Sequence, residues 1–511
     1  MSTVTSATTA ASDLENDRSV LSRPAASFLA RRHGMRIGGE TRFGRAGQLQ
    51  VLDPTSGEVV AEVPAGDAHD VDQAIAAARA AFEHGSWARL KPHLRAELIL
   101  KLADALAAHS AALAEIEAVN SGRLLVNTRL FDVDLSVHVL RYFAGFATRI
   151  QGKTVDLSVP YLPDAEFTGF TRRDPVGVVA AIVPWNVPLC QAVWKAAPAL
   201  ATGCTLVLKP AEQTPLTALW LAELAEEVGI PAGVINVITG TGPVTGAALV
   251  AHPGIDKISF TGSTATGRSI AAIAGRALKP CTLELGGKSP VVILEDADLE
   301  AAIPGAAWAI FGNHGQNCCA GSRLFVHERH FNRVVEGVAK IAREIKLGPG
   351  LAPDSQMGPL ISRAQQARVL DYVADARSAG AEVLAGGRAP SVRGSYVEPT
   401  VLTRVQPDMR AVREEIFGPV LVAMSFSHNE EAIALANRCA YGLGASVWTR
   451  DVSTVHRFVK ALEVGTVWVN NHNVLDMALP FGGLKDSGLG YELSEEAIHS
   501  HTRLKSVVLR V

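Results

Sequence analysis

From residue 178 the chain alternates short apolar runs with helical segments, and that rhythm leaves few folds open. Residues 178–183 form an unbroken apolar run, the pattern of a strand buried on both faces. Residues 205–208, 234–238, 257–260 and 281–285 repeat it, with helical stretches between them. Strands separated by helices imply a parallel, doubly wound sheet, and ligands bind such sheets beyond the carboxyl ends of the strands. The residues with chemistry sit there: Trp185-Asn186, Lys209-Pro210, Gly240, Thr261-Gly262-Ser263 and Glu284. A second α/β alternation follows from about residue 289 to 470, without a detectable repeat or flexible linker, so two domains with a large shared interface are expected.

Upstream, Val71, Ile75, Ala78 and Phe82 recur at helical spacing, as do Leu94, Leu98, Leu102 and Leu106, and Gly122 is placed to end that helical region. Residues 153–160 and 505–511 read as strands, remote in sequence, that pair with each other or with another subunit. Residues 1–24, rich in Ser, Thr and Ala, read as a loose tail; Asp13, Glu15 and Asp17 argue against a transit peptide.

At 511 residues one core is not enough, and two or more domains are expected. A net charge of -3 with no Lys/Arg cluster gives no footprint for nucleic acid. Six cysteines make no disulfide scaffold and fit a reducing cytoplasm. No apolar stretch approaches the roughly 20 residues that span a bilayer.

Two short runs carry the chemistry. Glu284-Leu285-Gly286-Gly287-Lys288-Ser289-Pro290 offers a carboxylate in a glycine-rich corner, and Gly315-Gln316-Asn317-Cys318-Cys319-Ala320-Gly321 places a cysteine in a glycine-flanked turn. A thiolate attacks a carbonyl carbon, and a nearby carboxylate can activate water to release the acyl group. Read alone, Cys318 would more commonly be a buried structural cysteine. Gly240-Thr241-Gly242-Pro243-Val244-Thr245-Gly246 is one residue too long for a GxGxxG fingerprint and alone does not separate a nucleotide loop from a turn. Phe260-Thr261-Gly262-Ser263 joins a strand to a helix start, where free amides and the helix dipole can hold a pyrophosphate.

These runs, in this order, resemble the signatures of the NAD(P)-dependent aldehyde dehydrogenase superfamily, and the resemblance extends from about Gly39 to the C-terminus. It implies an α/β fold of three parts. A Rossmann-type NAD-binding domain would span residues 25–150 and 172–286, and a second α/β catalytic domain 287–490. A small β oligomerisation arm would comprise 151–171 and 491–511. It implies Cys318 as nucleophile, Glu284 as the base for hydrolysis and Asn186 as the oxyanion-hole amide, with Lys195 and Glu492 either in proton relay or in an ordinary salt bridge.

For the cofactor it implies Ile182, Pro184 and Trp185 at the first strand end, with Lys209 on the adenosine ribose and Glu212 accepting from its 2′-hydroxyl, which favours NAD over NADP. Gly242, Gly246, Phe260, Ser263 and Leu285 would line the cofactor site, with Ser263 on a phosphate. Glu415 would hold the nicotinamide ribose, and Phe417 would pack near the nicotinamide. The tunnel would be lined by Leu135, Val187, Trp194, Gly312, Leu475 and Phe481, apolar and without fixed charge, which favours aromatic or medium aliphatic aldehydes.

The runs Leu140-Arg141-Tyr142-Phe143-Ala144-Gly145 and Phe170-Thr171-Arg172-Arg173-Asp174-Pro175 resemble phenylacetaldehyde dehydrogenases within that superfamily. Gly490-Tyr491-Glu492 departs from the family's more common Gly-Arg-Glu. Glu284 argues against a CoA-acylating relative, and Cys318, Glu284 and Asn186 together argue against a non-catalytic protein of the same fold. A dimer or tetramer is expected, with no metal. His327-Glu328-Arg329-His330 is one residue short of a zinc-binding HExxH, and His314, near Cys318, is read as a tunnel or loop residue.

Overall fold

A computed structural model of the protein describes residues 16–511. The five apolar runs form parallel strands: Val178–Ile182, Thr205–Lys209, Ile235–Val237, Lys257–Thr261 and Cys281–Glu284. In space they stand third, second, first, fourth, fifth, so the order reverses between the Val178 and Lys257 strands. Side chains cannot fill the crevice that opens where neighbouring crossovers leave in opposite directions, and a ligand site forms there. Antiparallel strands extend the sheet to eight, a feature the five-strand pattern does not contain. Met35–Ile37 and Glu40–Arg42 add one edge, and Gly488–Leu489 lies antiparallel to the Glu284 strand at the other.

The second alternation builds a seven-stranded sheet, parallel but for the antiparallel pairing of Glu382–Ala385 with Thr400–Thr403. The remote strands find each other: Thr502–Arg510 pairs antiparallel with Phe167–Pro175 over nine residues, and Thr154–Asp156 completes a three-stranded arm. Only three residues of the expected 153–160 strand pair.

The helix expected from the leucine spacing at 94–106 forms. In the helix Pro92–Ala108 the buried face is Ile99, Leu102, Ala103 and Leu106, while Leu94 is exposed. Steps of four overshoot a 3.6-residue turn by about 40° each, so Leu94 lies about 120° around the helix from Leu106. Gly122, at φ 74°, ends the Ser110–Ser121 helix, as expected.

The reading of residues 1–24 as loose needs correction for its described part; residues 1–15 lie outside the described residues. The Asn16 side chain donates to Asp53 and Thr55, Ser22 donates to Glu115, and a helix already begins at Arg23. A short polar segment docks here because buried acceptors on the body need its donors.

Candidate active site

The Val178 strand feeds into the helix Pro188–Thr202, whose first turn accommodates Pro188 because no intrahelical acceptor exists there. Asn186 lies at this corner, buried, and its side-chain amide donates to the carbonyl of Gln316 at 3.0 Å. One N–H is thereby fixed on the Cys318 loop, and the second remains for a ligand.

The loop itself is tightly constrained. Asn313, His314 and Gly315 take φ of 50°, 58° and 68° in succession. Left-handed geometry is unfavourable for the two non-glycine residues, so the surroundings must impose it. Asn313 Nδ2 donates to Asn186 O (3.2 Å) and Gln316 O (2.9 Å), and its Oδ1 accepts from Arg123 Nε at 2.5 Å. Arg123 is held by a buried ion pair with Asp132. His314 Nδ1 lies 2.8 Å from Pro359 O, and its Nε2 accepts from the Gly358 amide at 3.2 Å. That pattern requires the neutral ring, and burial pushes its pKa down to about 3. At Gly315 any Cβ would lie 2.1 Å from Gly418 O.

Cys318 is half-buried at the end of this turn, while Cys319 is buried and its thiol donates to Asn473 Oδ1 at 2.9 Å. The adjacent Cys319 thiol, then burial, push the Cys318 thiol well above its ordinary range. Glu284 ends its strand buried, with neither carboxylate oxygen hydrogen-bonded to protein. Burial, then the charge of Glu492, hold its carboxyl well above the usual range; Lys195 opposes them. Lys195 and Glu492 form a buried ion pair, with Ser259 Oγ 3.3 Å from the ammonium.

Around the strand ends lie groups suited to a dinucleotide. Ser263 caps the helix Thr264–Arg276 by accepting from the Thr266 amide at 3.3 Å, and the preceding first-turn amides have no intrahelical acceptor. Ser263 is exposed, and Leu285 fits against the helix at Gly267. Lys209 ends the second strand, 3.9 Å from Glu212, and burial lowers its pKa. Glu415 Oε1 accepts from the Gly287 amide at 3.1 Å, and burial raises its pKa to about 7. A Cβ at Gly286 would sit 2.1 Å from Glu415 Oε2, so a side chain there would displace the Glu415 carboxylate. Phe417 stands edge-on to Trp185, ring centroids 5.2 Å apart. Ile182 and Phe260 share the core beneath, and Pro184 is half-buried two residues before Asn186. Gly246 lies against the Lys209 stem, whereas Gly242 is exposed with no close neighbour at its Cβ position.

A cavity of about 990 Å³ reaches Cys318 and Asn186. Leu135, Val187, Trp194, Gly312, Leu475 and Phe481 all line it. The Trp194 and Phe481 rings meet edge-on at 5.8 Å. Its wall is more polar than these six suggest: Arg123, Asn127, Asn470 and Asn473 also face it. The expectation of no fixed charge is corrected by Arg123, whose charge Asp132 balances.

The model of the aldehyde dehydrogenase family matches residues 43–507 of the chain. The chain belongs to that family. It is 49% identical, over 96% of its length and 98% of the relative's, to the phenylacetaldehyde dehydrogenase of Pseudomonas fluorescens. To human mitochondrial aldehyde dehydrogenase it is 43% identical, over 90% of its own length and 88% of the other's. The structure resembles that of an aldehyde dehydrogenase from Bacillus cereus in complex with NAD+, with a TM-score of 0.94, 45% identity and coverage of 98% and 100% of the two chains. The protein is an NAD-dependent enzyme that oxidises an aldehyde to the carboxylic acid.

Within this aldehyde dehydrogenase, Asn186 and Cys318 line the cavity together, and Glu284, which does not line it, lies close enough to Cys318 to feel its charge. Sequence reasoning missed Arg123 and Asn313, which fix the Cys318 loop. The run Asn470-Asn471-His472-Asn473 was a visible polar signal for the cavity wall that went unused. His314 is a buried clamp on the loop as well as a cavity residue. At the HExxH decoy, the His327 ring accepts from the Arg329 amide at 3.4 Å and His330 Nε2 lies 2.8 Å from Glu295 O. Among the described residues no helix is long and apolar enough to cross a membrane.

Proposed function

We propose that the substrate is an aromatic aldehyde of the phenylacetaldehyde type, taken by Cys318 at the end of the aromatic-walled cavity. The observation that carries this reading is the cavity itself: it joins the Trp194–Phe481 pair to the one half-buried thiol beside Asn186. The named relative of Pseudomonas fluorescens supports the same class.

The Cys318 thiolate attacks the carbonyl carbon and forms a thiohemiacetal. The free N–H of Asn186 and the Cys318 amide hold the alkoxide. Bound NAD supplies the hydride acceptor for oxidation of that carbon. The resulting thioester is hydrolysed by a water whose proton passes to Glu284, freeing the acid and the Cys318 sulfur. Neither Glu284 oxygen is hydrogen-bonded to protein, so each keeps its acceptor capacity for that water. Lys195 favours the ionised form of Glu284, against burial and the larger opposing charge of its partner Glu492.

For the cofactor, the Thr264 helix start with Ser263 would receive the pyrophosphate, Lys209 and Glu212 the adenosine ribose, and Glu415 the second ribose. Ile182, Pro184, Trp185, Phe260 and Leu285 shape the crevice, Phe417 stands near the nicotinamide, and Gly246 permits close approach. Gly242, exposed at the rim, is the weakest member of this set. Glu212 favours NAD over NADP. The nucleotide domain centres on the eight-stranded sheet and the catalytic domain on the seven-stranded one. Leu504, Val508 and Leu509, exposed on the three-stranded arm, support a homo-oligomer, and six unpaired cysteines support a cytoplasmic setting.

NADH formation from phenylacetaldehyde, benzaldehyde, hexanal and succinate semialdehyde, with and without CoA, tests the reading. CoA-independent turnover, best with the aromatic aldehydes and lost in Cys318→Ala, is expected. Activity that survives without Cys318, or a preference for the charged semialdehyde, would overturn it.

A further inference from the structure

The helix Pro188–Thr202 begins immediately after the Asn186 corner and has no cap of its own. Its N-cap residue is Val187, whose side chain offers no acceptor, and the first bond within the helix runs from the Gln191 amide to the Val187 carbonyl at 3.0 Å. The Leu189 amide is therefore among those left without an intrahelical acceptor. Its partner is Glu117, distant in sequence: Glu117 Oε1 accepts from the Leu189 amide at 3.0 Å and from the Thr217 hydroxyl. All three residues are buried. A serine or aspartate at the N-cap would have served the helix alone. An acceptor borrowed from another helix also ties the two helices together at the corner that carries Asn186.

Glu117 lies in the helix Ser110–Ser121, and Arg123 follows that helix directly after Gly122. The two side chains reach the Asn186 corner by separate routes. Glu117 holds the helix start that follows it. Arg123 donates to Asn313 Oδ1, and Asn313 Nδ2 donates to the carbonyls of Asn186 and Gln316. The segment between them is itself anchored, with Ser121 Oγ donating to the Glu117 carbonyl and Asn120 Nδ2 to the Gln213 carbonyl, each at 2.6 Å. Residues 117–123 thus mount both the Asn186 amide and the loop that ends in Cys318. Glu117 does not line the cavity. Burial, then the charge of Asp132, raises its carboxyl to about 8, so near neutrality the uncharged acid prevails, with Oε1 accepting and Oε2 unpartnered. A glutamine would present the same acceptor in the same place.

Resting on Asn186 as the oxyanion-hole amide, we infer that Glu117 is a positioning residue of the reaction. By holding the Leu189 amide it keeps the free N–H of Asn186 aimed at the alkoxide. That charge exists only after Cys318 has attacked, so a displaced amide weakens the transition state and leaves binding of the aldehyde unchanged. A misplacement of about 1 Å, caused far from the chemistry, costs on the order of 100-fold.

The test uses the full-length enzyme at pH 7.5 and saturating NAD, with whichever of phenylacetaldehyde and hexanal it turns over faster. Glu117→Ala, Glu117→Gln and Thr217→Val are compared alone and combined with Asn186→Ala. Glu117→Ala should lower kcat and kcat/KM equally, by about 10- to 100-fold. Glu117→Gln should restore most of that loss. Thr217→Val removes only the hydroxyl that orients Glu117 Oε1; it should lower kcat about threefold, and it carries the test if Glu117→Ala does not fold. In the Asn186→Ala background none of these changes should lower kcat further, because the amide they position is gone. The same fold-loss in both backgrounds overturns the inference and leaves Glu117 as a helix cap alone. So does an unchanged kcat in Glu117→Ala, or a Glu117→Gln enzyme as damaged as Glu117→Ala. If Asn186→Ala by itself changes only KM, the oxyanion reading beneath the inference is removed with it.

Discussion

Lys195→Met removes the ion-pair partner of Glu492 where water cannot replace it. The Lys195 side chain is wholly buried and that of Glu492 is 5% exposed. Glu492 Oε2 has no hydrogen-bond partner, and Ser259 Oγ, 3.4 Å from Oε1, is a poor substitute for an ammonium. Breaking a buried pair from one side costs about 3–5 kcal/mol, because the remaining charge stays buried. Glu492→Leu should fall at the lower end of that range, since an unpaired lysine can shed its proton; neighbouring Lys257 already has a pKa near 8. The double replacement removes both charges and should cost less than either single change. The coupling energy is then at least about 3 kcal/mol. Guanidinium unfolding of the four proteins at pH 7.5, followed by tryptophan fluorescence and circular dichroism, measures it. Additivity within about 0.5 kcal/mol would refute the buried-pair argument. Turnover of the same four proteins separates packing from proton movement: a kcat defect that persists in the stable double variant belongs to the Glu284 step.

Glu284→Gln should still release one NADH per site in a rapid burst and then stall, and a normal steady state would remove its assignment as base. In the wild type, the rising limb of that steady state should lie above the ordinary carboxylate range, because the folded protein raises this carboxyl. Asn186→Ala should lower kcat about 10²–10³-fold, and a change confined to KM would exclude an oxyanion role. Alkylation of Cys318 at pH 7.5, followed by peptide mass spectrometry, should accelerate when NAD is added, since the protein alone holds the thiol neutral; an unchanged rate argues against help from the cationic nicotinamide. His314→Gln should flatten the acid loss of stability. The folded ring, at about 3, resists the proton that the unfolded chain accepts near 6.5, so wild-type stability falls by about 1.4 kcal/mol per pH unit below 6.5 through this residue. Parallel unfolding midpoints from pH 7 to 5 in the two proteins would refute it.

The five-strand sheet was legible because residues 178–183 and their counterparts are buried on both faces, which an apolar run records directly. Cys318 and Glu284 were legible as local motifs. Local patterns did not reveal contacts between distant residues. Arg123 and Asn313 are 190 positions apart, and their bond defines the Cys318 turn. The left-handed geometry of Asn313 and His314 is imposed by such contacts, so no propensity announces it. The leucine spacing at 94–106 marked the helix but not its whole buried face, which takes Ile99 and Ala103 and leaves Leu94 exposed.

The pairing of Gly488–Leu489 beside the Glu284 strand has a consequence for synthesis. That strand is complete in the nascent chain once residue 284 has been made, but its outer edge stays open until residue 488 has been made. Leu285 waits likewise for the Ser487 carbonyl, 2.9 Å from its amide in the finished fold. The carboxylate proposed as the base therefore spends some 200 residues of translation on an unfinished sheet edge, the kind of surface that invites pairing with another chain. Premature termination anywhere in that interval leaves the motif intact and its seat unmade.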